Sequence, residues 1–192
     1  IGDPKPLTNK ITKEEVIKVS KRMNNNKAPG DDNIPTELIK YGPDELHQQI
    51  AENLNKVIET HEDTIDFGLS VLLPMQKPNK EVGPTKNLRP LNLLNSIRKT
   101  LSMITLTRIK PKIEKYLSPT QAAYRENRST TDIIWAHRFI IAKQMLYKNE
   151  KIYITGLDMS SAFDTINRKE LMEILTEKLD EDKARMCRIL LS

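Results

Sequence analysis

Apolar positions recur along this chain with two periods, and the changes of period mark out its elements. Residues 1–9 carry Pro4 and Pro6 and read as a tail or a boundary. Ile11 and Val16 then bracket Thr12 and Glu15. That spacing is a capping box inside a hydrophobic staple, which starts a helix. Val16, Val19 and Met23 carry the helix forward at helical spacing. A run of asparagines, Pro29, Gly30 and Pro35 cannot continue it, so residues 24–35 form a loop. Pro35 opens a short helix through Tyr41, and Gly42 ends it. Pro43 starts a longer helix with Leu46, Ile50, Leu54, Val57 and Ile58 as its apolar stripe.

The period then shortens. Residues 69–74 are a short apolar run of strand type, 75–84 a hairpin tip, and 87–95 the returning strand. Helical spacing resumes over 96–117 through Ile97, Leu101 and Ile104, with Pro111 expected to kink or split the helix. Ser129 and Asp132 cap the next helix. It runs to about Tyr147 and is expected to bury Ile133, Ile134, His137, Ile140 and Ile141, with Trp135 as packing. Ile152 and Ile154 alternate with Tyr153 and Thr155, a strand pattern over 152–157 that puts Gly156 and Asp158 on the face of the isoleucines. Asn167 and Glu170 cap a helix marked by Leu171, Ile174 and Leu175. Residues 180–182 break it, and Met186, Ile189 and Leu190 belong to another. The expected fold is α/β (α+β), mostly helical, with one short hairpin and one further strand.

Composition narrows the class. The chain has 192 residues, 38% hydrophobic and 30% charged, which fits a globular protein with a real core. No apolar run reaches membrane-spanning length, so no membrane partner is expected. One cysteine, Cys187, excludes an internal disulfide and fits an intracellular setting, nuclear or cytoplasmic. The net charge of +5 is unevenly placed: residues 70–151 hold 16 Lys/Arg against 5 Asp/Glu, the rest 15 against 21. A basic middle between acidic ends suits a polyanion. No P-loop, zinc spacing or Ser/His/Asp arrangement occurs, and His47, His61 and His137 are too scattered for a metal pair.

Three stretches offer chemistry. An unpaired carboxylate is costly to bury at the end of an apolar strand, so Asp158 sits at the strand's mouth, binds a cation or meets a basic partner, or else it merely caps the next turn. Spacing alone leaves these open. Lys77 and Lys80 on the hairpin, facing Arg89, suit a triphosphate, or serve as edge-strand lysines against aggregation. Tyr124 beside Arg125 and Arg128 suits a single-stranded template through stacking and phosphate contacts.

Four motifs together resemble one family in the right order. Leu157-Asp-Met-Ser-Ser-Ala-Phe-Asp-Thr-Ile-Asn167 resembles the first palm motif of reverse transcriptases, particularly those of non-LTR (LINE-type) retrotransposons. Asn26-Lys-Ala-Pro-Gly-Asp-Asp-Asn-Ile-Pro35 is similar to the family's N-K-A-P-G-x-D-x-I-P loop, with Asp31 where proline is usual. Asn87-Leu-Arg-Pro-Leu-Asn-Leu-Leu-Asn95 resembles N-Y-R-P-I-S-L-L-N. Gln121-Ala-Ala-Tyr-Arg-Glu-Asn-Arg-Ser-Thr-Thr-Asp132 resembles Q-x-G-F-R-x-x-R-S-T-x-D, with Tyr124 for phenylalanine and Ala123 for glycine.

The resemblance implies a right-hand polymerase, with fingers over residues 1–150 and the beginning of an incomplete palm over 151–192. It implies RNA-directed DNA polymerisation with two divalent ions, Mg²⁺ or Mn²⁺. Asp158 would be the catalytic, bridging carboxylate, and the Met159 carbonyl a further metal ligand. Arg89, with Lys77 and Lys80, would hold the nucleotide phosphates. Phe163 would pack under the deoxyribose and exclude a 2′-hydroxyl. Asp164 and Asn167 would hold the turn and cap the following helix. Lys27, Gln121, Tyr124, Arg125 and Arg128 would meet the template. The implied partners are an RNA template, a DNA primer, deoxynucleoside triphosphates, and the remaining palm and thumb of a longer polypeptide. The family's aromatic-x-Asp-Asp motif does not occur, and Asp31-Asp32 lies in the wrong loop for it. A fragment ending at Ser192 is therefore expected to be inactive alone. The alternative is a non-catalytic nucleic-acid-binding remnant that keeps the basic surface.

Overall fold

Local signals start most of the helices. In the computed structural model, which describes residues 4–60, 68–148, 151–159 and 161–191, the Thr12 hydroxyl accepts from the Glu15 amide. The Glu15 carboxylate accepts from the Thr12 amide in return. This box opens α1, Lys13–Ser20. Helix α2 spans Thr36–Lys40 and α3 spans Asp44–Thr60. Strands β1 (Ser70–Gln76) and β2 (Leu88–Leu94) form an antiparallel ribbon. Helices α4 (Ser96–Ile113), α5 (Thr130–Lys143), α6 (Arg168–Lys178) and α7 (Glu181–Leu191) complete the order. A π turn, Gln144–Lys148, extends α5. Among the described residues no helix is long and apolar enough to cross a membrane.

The chain divides into two compact units, Ile1–Lys112 with Arg168–Ser192, and Ile113–Asn167. The first owns the core. Val16 and Val19 of α1, Leu54 and Ile58 of α3, Leu101 and Ile104 of α4, and Met186 of α7 are buried together. Each such side chain contributes about 1.5–3 kcal/mol when fully buried. A buried amide locks the approach to α1: the Ile11 N–H donates to Asn55 Oδ1 (2.7 Å), and Asn55 Nδ2 donates to the Ile11 carbonyl (2.9 Å). Arg185 of α7 donates to the Ile58 and Glu59 carbonyls at 2.7 and 3.2 Å. A cation there satisfies the open end of α3 and opposes its dipole.

The N-terminal segment is not a free tail. Leu7 is buried, its amide donates to Glu59 Oε1 (2.9 Å), and the Asn9 amide donates to Asp182 Oδ2 (2.8 Å). Two carboxylates thus supply the hydrogen bonds that an extended segment lacks by itself.

The ribbon's register explains how it tolerates two prolines. Pro74 lies opposite Pro90, and the Lys77 amide donates across to the Asn87 carbonyl at 2.8 Å. Counting back by twos makes Met75–Arg89 a hydrogen-bonded pair and Pro74–Pro90 a non-bonded one. The missing proline donors are therefore not needed within the ribbon.

Several expectations change. Pro111 does not split α4. It lies in the last turn, and the helix stops two residues later rather than reaching Leu117. Helix α5 starts at the expected Ser129 cap, yet Ile133, Ile134, His137 and Ile140 are exposed, and Ile141 is only partly covered. Trp135 is exposed too and stacks on Phe139, centroids 5.4 Å apart. Periodicity marks which face seeks cover, and no such cover lies over α5 among the described residues. Residues 151–159 form no strand. The alternation is present, but a strand needs a hydrogen-bonding neighbour, and the only sheet among the described residues is the ribbon. His61 lies outside the described residues.

Candidate nucleotide and template site

The candidate residues fall into both units, and each unit is built by its own local contacts. In the first, the 24–35 loop packs on the exit of β2. A Cβ on Gly30 would stand 2.6 Å from the Asn95 nitrogen and 2.7 Å from its Cα. Only glycine permits that approach without displacing backbone. Ser96 Oγ donates to the Ile34 carbonyl (2.9 Å), a second link between loop and ribbon base. Asn26 and Asn33 take left-handed backbone, φ 57° and 53°, which asparagine adopts more readily than most residues. The Ile34 amide donates to Asp32 Oδ1 (3.0 Å). Lys27 is exposed on this loop. Two of the four motifs thus share one surface.

Side-chain amides shape the ribbon's tip. Gln76 Nε2 donates to the Lys80 and Glu81 carbonyls at 3.0 and 3.1 Å, and Asn87 Nδ2 to the Glu81 carbonyl at 2.9 Å. Lys77 Nζ donates to the Lys86 carbonyl (2.7 Å), so its ammonium is partly engaged within the tip. Lys80 is exposed. Arg89 is exposed opposite Met75, on the face that also carries Val71, Leu73 and Leu91.

In the second unit, Arg125 is the knot. Its Nε donates to Glu114 Oε1 (2.8 Å), its Nη2 bonds the same carboxylate, and its Nη1 donates to the Ser118 and Gln121 carbonyls at 2.8 and 3.1 Å. The side chain is about 10% exposed. Arg125 therefore organises the loop. The residues it presents are Gln121, Tyr124 and Arg128, all exposed. Tyr124 holds φ 60°, a conformation that costs a bulky side chain of order 1–3 kcal/mol unless its surroundings impose it. The four hydrogen bonds of its neighbour Arg125 supply that constraint.

The motif over residues 157–167 reaches the same place. The Ser161 carbonyl accepts from the Asp164 and Thr165 amides at 2.9 and 3.2 Å, closing a turn that presents Phe163. Its ring meets that of Tyr124 with centroids 6.0 Å apart and planes at 84°. Asp158 and Met159 lie exposed just before this turn, and Arg168 begins α6 directly after Asn167.

Sequence reasoning missed Glu114, the partner of Arg125, and set His137 aside. His137 joins Arg128, Gln121 and Ile133 along an open cleft between residues 119–122 and α5. It follows Ile133 by one helical turn, a spacing that puts both on one wall.

Asp158 and the Met159 carbonyl offer two ligand groups. Mg²⁺ takes that few from protein when phosphates and water supply the rest. They do not amount to a two-ion site: among the described residues no group of three His, Cys, Asp or Glu could hold a metal.

Comparison with known proteins agrees with the four motifs. Residues 75–186 match the family model described as "Reverse transcriptase (RNA-dependent DNA polymerase)". The chain is 25% identical over 159 residues to the RNA-directed DNA polymerase from mobile element jockey of Drosophila funebris, covering 81% of this chain and 17% of that protein. It is 28% identical over 156 residues to the probable RNA-directed DNA polymerase from transposon X-element of Drosophila melanogaster, covering 79% and 17%. Similarity to the transposon TX1 uncharacterized 149 kDa protein of Xenopus laevis is 23% over 172 residues, covering 88% and 13%. The chain thus spans about a sixth of the length of the first two relatives. With more than half its residues inside the family model and its motifs in the family's order, the chain belongs to the reverse transcriptases, in their non-LTR retrotransposon branch.

Proposed function

We propose that this chain is the fingers and first palm portion of an RNA-directed DNA polymerase. The approach of Tyr124 to Phe163 carries the reading, because it joins the template-type loop to the motif bearing Asp158. The polypeptide to which this portion contributes copies an RNA template by extending a DNA primer with deoxynucleoside triphosphates.

Each residue then has a task set by its chemistry. Lys27, Gln121, Tyr124 and Arg128 meet the template strand, the cations at phosphates and the ring against a base. Arg89 holds triphosphate oxygens two at a time, and Lys80 adds a mobile charge at the ribbon's tip. Lys77 contributes less, with its ammonium partly held by the Lys86 carbonyl. Phe163 fills the space that a ribose 2′-hydroxyl would need. Asp158 and the Met159 carbonyl would hold Mg²⁺ or Mn²⁺. When bound, a divalent ion activates the primer oxygen and neutralises charge on the phosphates. Among the described residues Asp158 belongs to no group of three metal-binding side chains, so on this reading the further acidic ligands come from the rest of the complete polypeptide.

Primer extension tests the reading. Asp158→Asn in the complete polypeptide should abolish synthesis while RNA binding stays within about twofold. The amide is a neutral and weaker metal ligand, and the basic surface is untouched. Full activity in that variant removes Asp158 from the site. Robust extension by these 192 residues alone would contradict the need for outside carboxylates.

A further inference from the structure

We infer that Tyr124 is a positioning residue for sugar discrimination, acting through Phe163. The inference rests on Phe163 being the residue that excludes a 2′-hydroxyl. It adds that the setting of the Phe163 ring is fixed from outside its own turn.

Three observations converge. The Phe163 ring is 72% exposed, and among the described residues the one ring it meets is that of Tyr124. An exposed phenylalanine on a surface turn has several staggered positions open to it. A ring packed edge-to-face removes some of them and favours one. Tyr124 is itself 87% exposed, and what fixes it is the backbone of its loop. Its left-handed backbone is unfavourable for a bulky residue, and the Arg125 guanidinium beside it ties together Glu114, Ser118 and Gln121. The order of control is Glu114 to Arg125, Arg125 to Tyr124, and Tyr124 to Phe163. A residue that excludes an atom by its bulk discriminates only while it stays in place.

This arrangement makes Tyr124 a determinant of sugar choice in addition to its template contact. Losing its ring leaves Asp158 and the phosphate contacts intact, but lets Phe163 swing away from the sugar. Ribonucleotides would then gain ground relative to deoxynucleotides.

The experiment is primer extension by the complete polypeptide with single deoxy- or ribonucleoside triphosphates. It compares wild type, Phe163→Val, Tyr124→Leu, Tyr124→Phe and the Tyr124→Leu/Phe163→Val double variant. Tyr124→Leu should lower the preference for deoxynucleotides about two- to tenfold, the range that an edge-to-face pair supports. The change should lie in the ratio of kcat/KM for ribonucleotides to that for deoxynucleotides, in which any loss of template contact, common to both, cancels. Tyr124→Phe should restore the preference, because it keeps the ring. The double variant should discriminate no worse than Phe163→Val, since Tyr124 acts through Phe163.

The outcomes separate the two layers. Unchanged preference in Phe163→Val removes Phe163 from sugar selection, and the inference falls with it. Relaxed preference in Phe163→Val but not in Tyr124→Leu overturns the inference alone. A fall in RNA affinity for Tyr124→Leu with preference unchanged overturns it too, and leaves Tyr124 as a template contact only.

Discussion

Tyr124 and Phe163 stand 39 positions apart in the chain, and their rings meet at 84° with 6.0 Å between centroids. One belongs to the loop before α5, the other to the turn before α6. The contact turns two separate motifs into a single surface, with Arg128 and Asp158 near the two ends of the sequence that joins them.

The two arginines of that loop should separate in an RNA-binding titration. Arg128 is exposed, whereas the Arg125 guanidinium is committed to Glu114 and two carbonyls. Arg128→Ala should weaken binding across sequences and lower the slope of log affinity against log salt by about one. Thermal stability should hardly move. Arg125→Ala should lower stability by about 1–3 kcal/mol, because it strips a largely buried hub. Equal salt slopes in wild type and Arg128→Ala would take Arg128 out of the template surface.

Gly30→Ala should destabilise the first unit by about 1–3 kcal/mol, the usual cost of overpacking. The added methyl would press on Asn95 backbone, which cannot rotate away as a side-chain end can. Calorimetry against wild type decides it. A melting temperature within a degree of wild type would mean that the loop does not rest on the ribbon base in solution.

Acid should loosen the first unit. Burial disfavours the charge on Glu15, but the Arg108 hydrogen bond, the Thr12 amide and the Arg108 charge outweigh it and hold the carboxyl below its usual value. The Leu7 amide, with Lys10, does the same for Glu59. A carboxyl depressed in the folded state stabilises the fold above its ordinary value of about 4.5, and that contribution fades as pH falls through the folded value. Melting temperature should therefore be flat above about pH 5 and decline below it. Glu15→Gln should melt lower at neutral pH and lose part of the acid decline. An acid slope unchanged in that variant would shift the explanation away from the Glu15–Arg108 pair.

Exposed apolar surface should drive self-association of the isolated 192 residues. Ile134, Phe139 and Ile140 of α5 are more than half exposed, as are Ile154 and Leu157. Large apolar side chains exposed in this number favour association. Sedimentation should show concentration-dependent association that Phe139→Asp and Leu157→Asp reduce. A monomer at high concentration with a sharp melt would contradict it.

Local chemistry was the legible part of this chain. The Thr12 and Ser129 caps, the helix opened after Pro35 and the ribbon over residues 70–94 follow from residues within a few positions of each other. So does the family resemblance, which is carried by short contiguous motifs. Features that depend on distant partners were hidden. Nothing near Arg125 marks Glu114 as its carboxylate, and Arg125 reads from sequence as a template contact. The alternation of Ile152 and Ile154 records a preference for strand, but strand hydrogen bonds come from a neighbour that local pattern cannot supply. The same holds for α5, whose apolar residues state a need for cover and not its presence. Arg98 and Arg108 counted toward a basic surface, yet the Arg98 guanidinium reaches the Leu190 carbonyl and that of Arg108 is spent on Glu15 and the Asn9 and Lys10 carbonyls.

The facing prolines of the ribbon have a mechanical consequence. At a non-bonded pair, backbone donors point outward, so Pro74 and Pro90 each delete one donor from an outer edge, at the same level on both sides. A third strand laid along either edge would lose a bond midway. The ribbon therefore resists being zipped into a wider sheet, and neighbours must engage it through the side chains on its faces. It is built to remain a two-stranded lever, anchored at its base by Gly30 and Ser96 and free along its flanks to tilt without tearing a sheet.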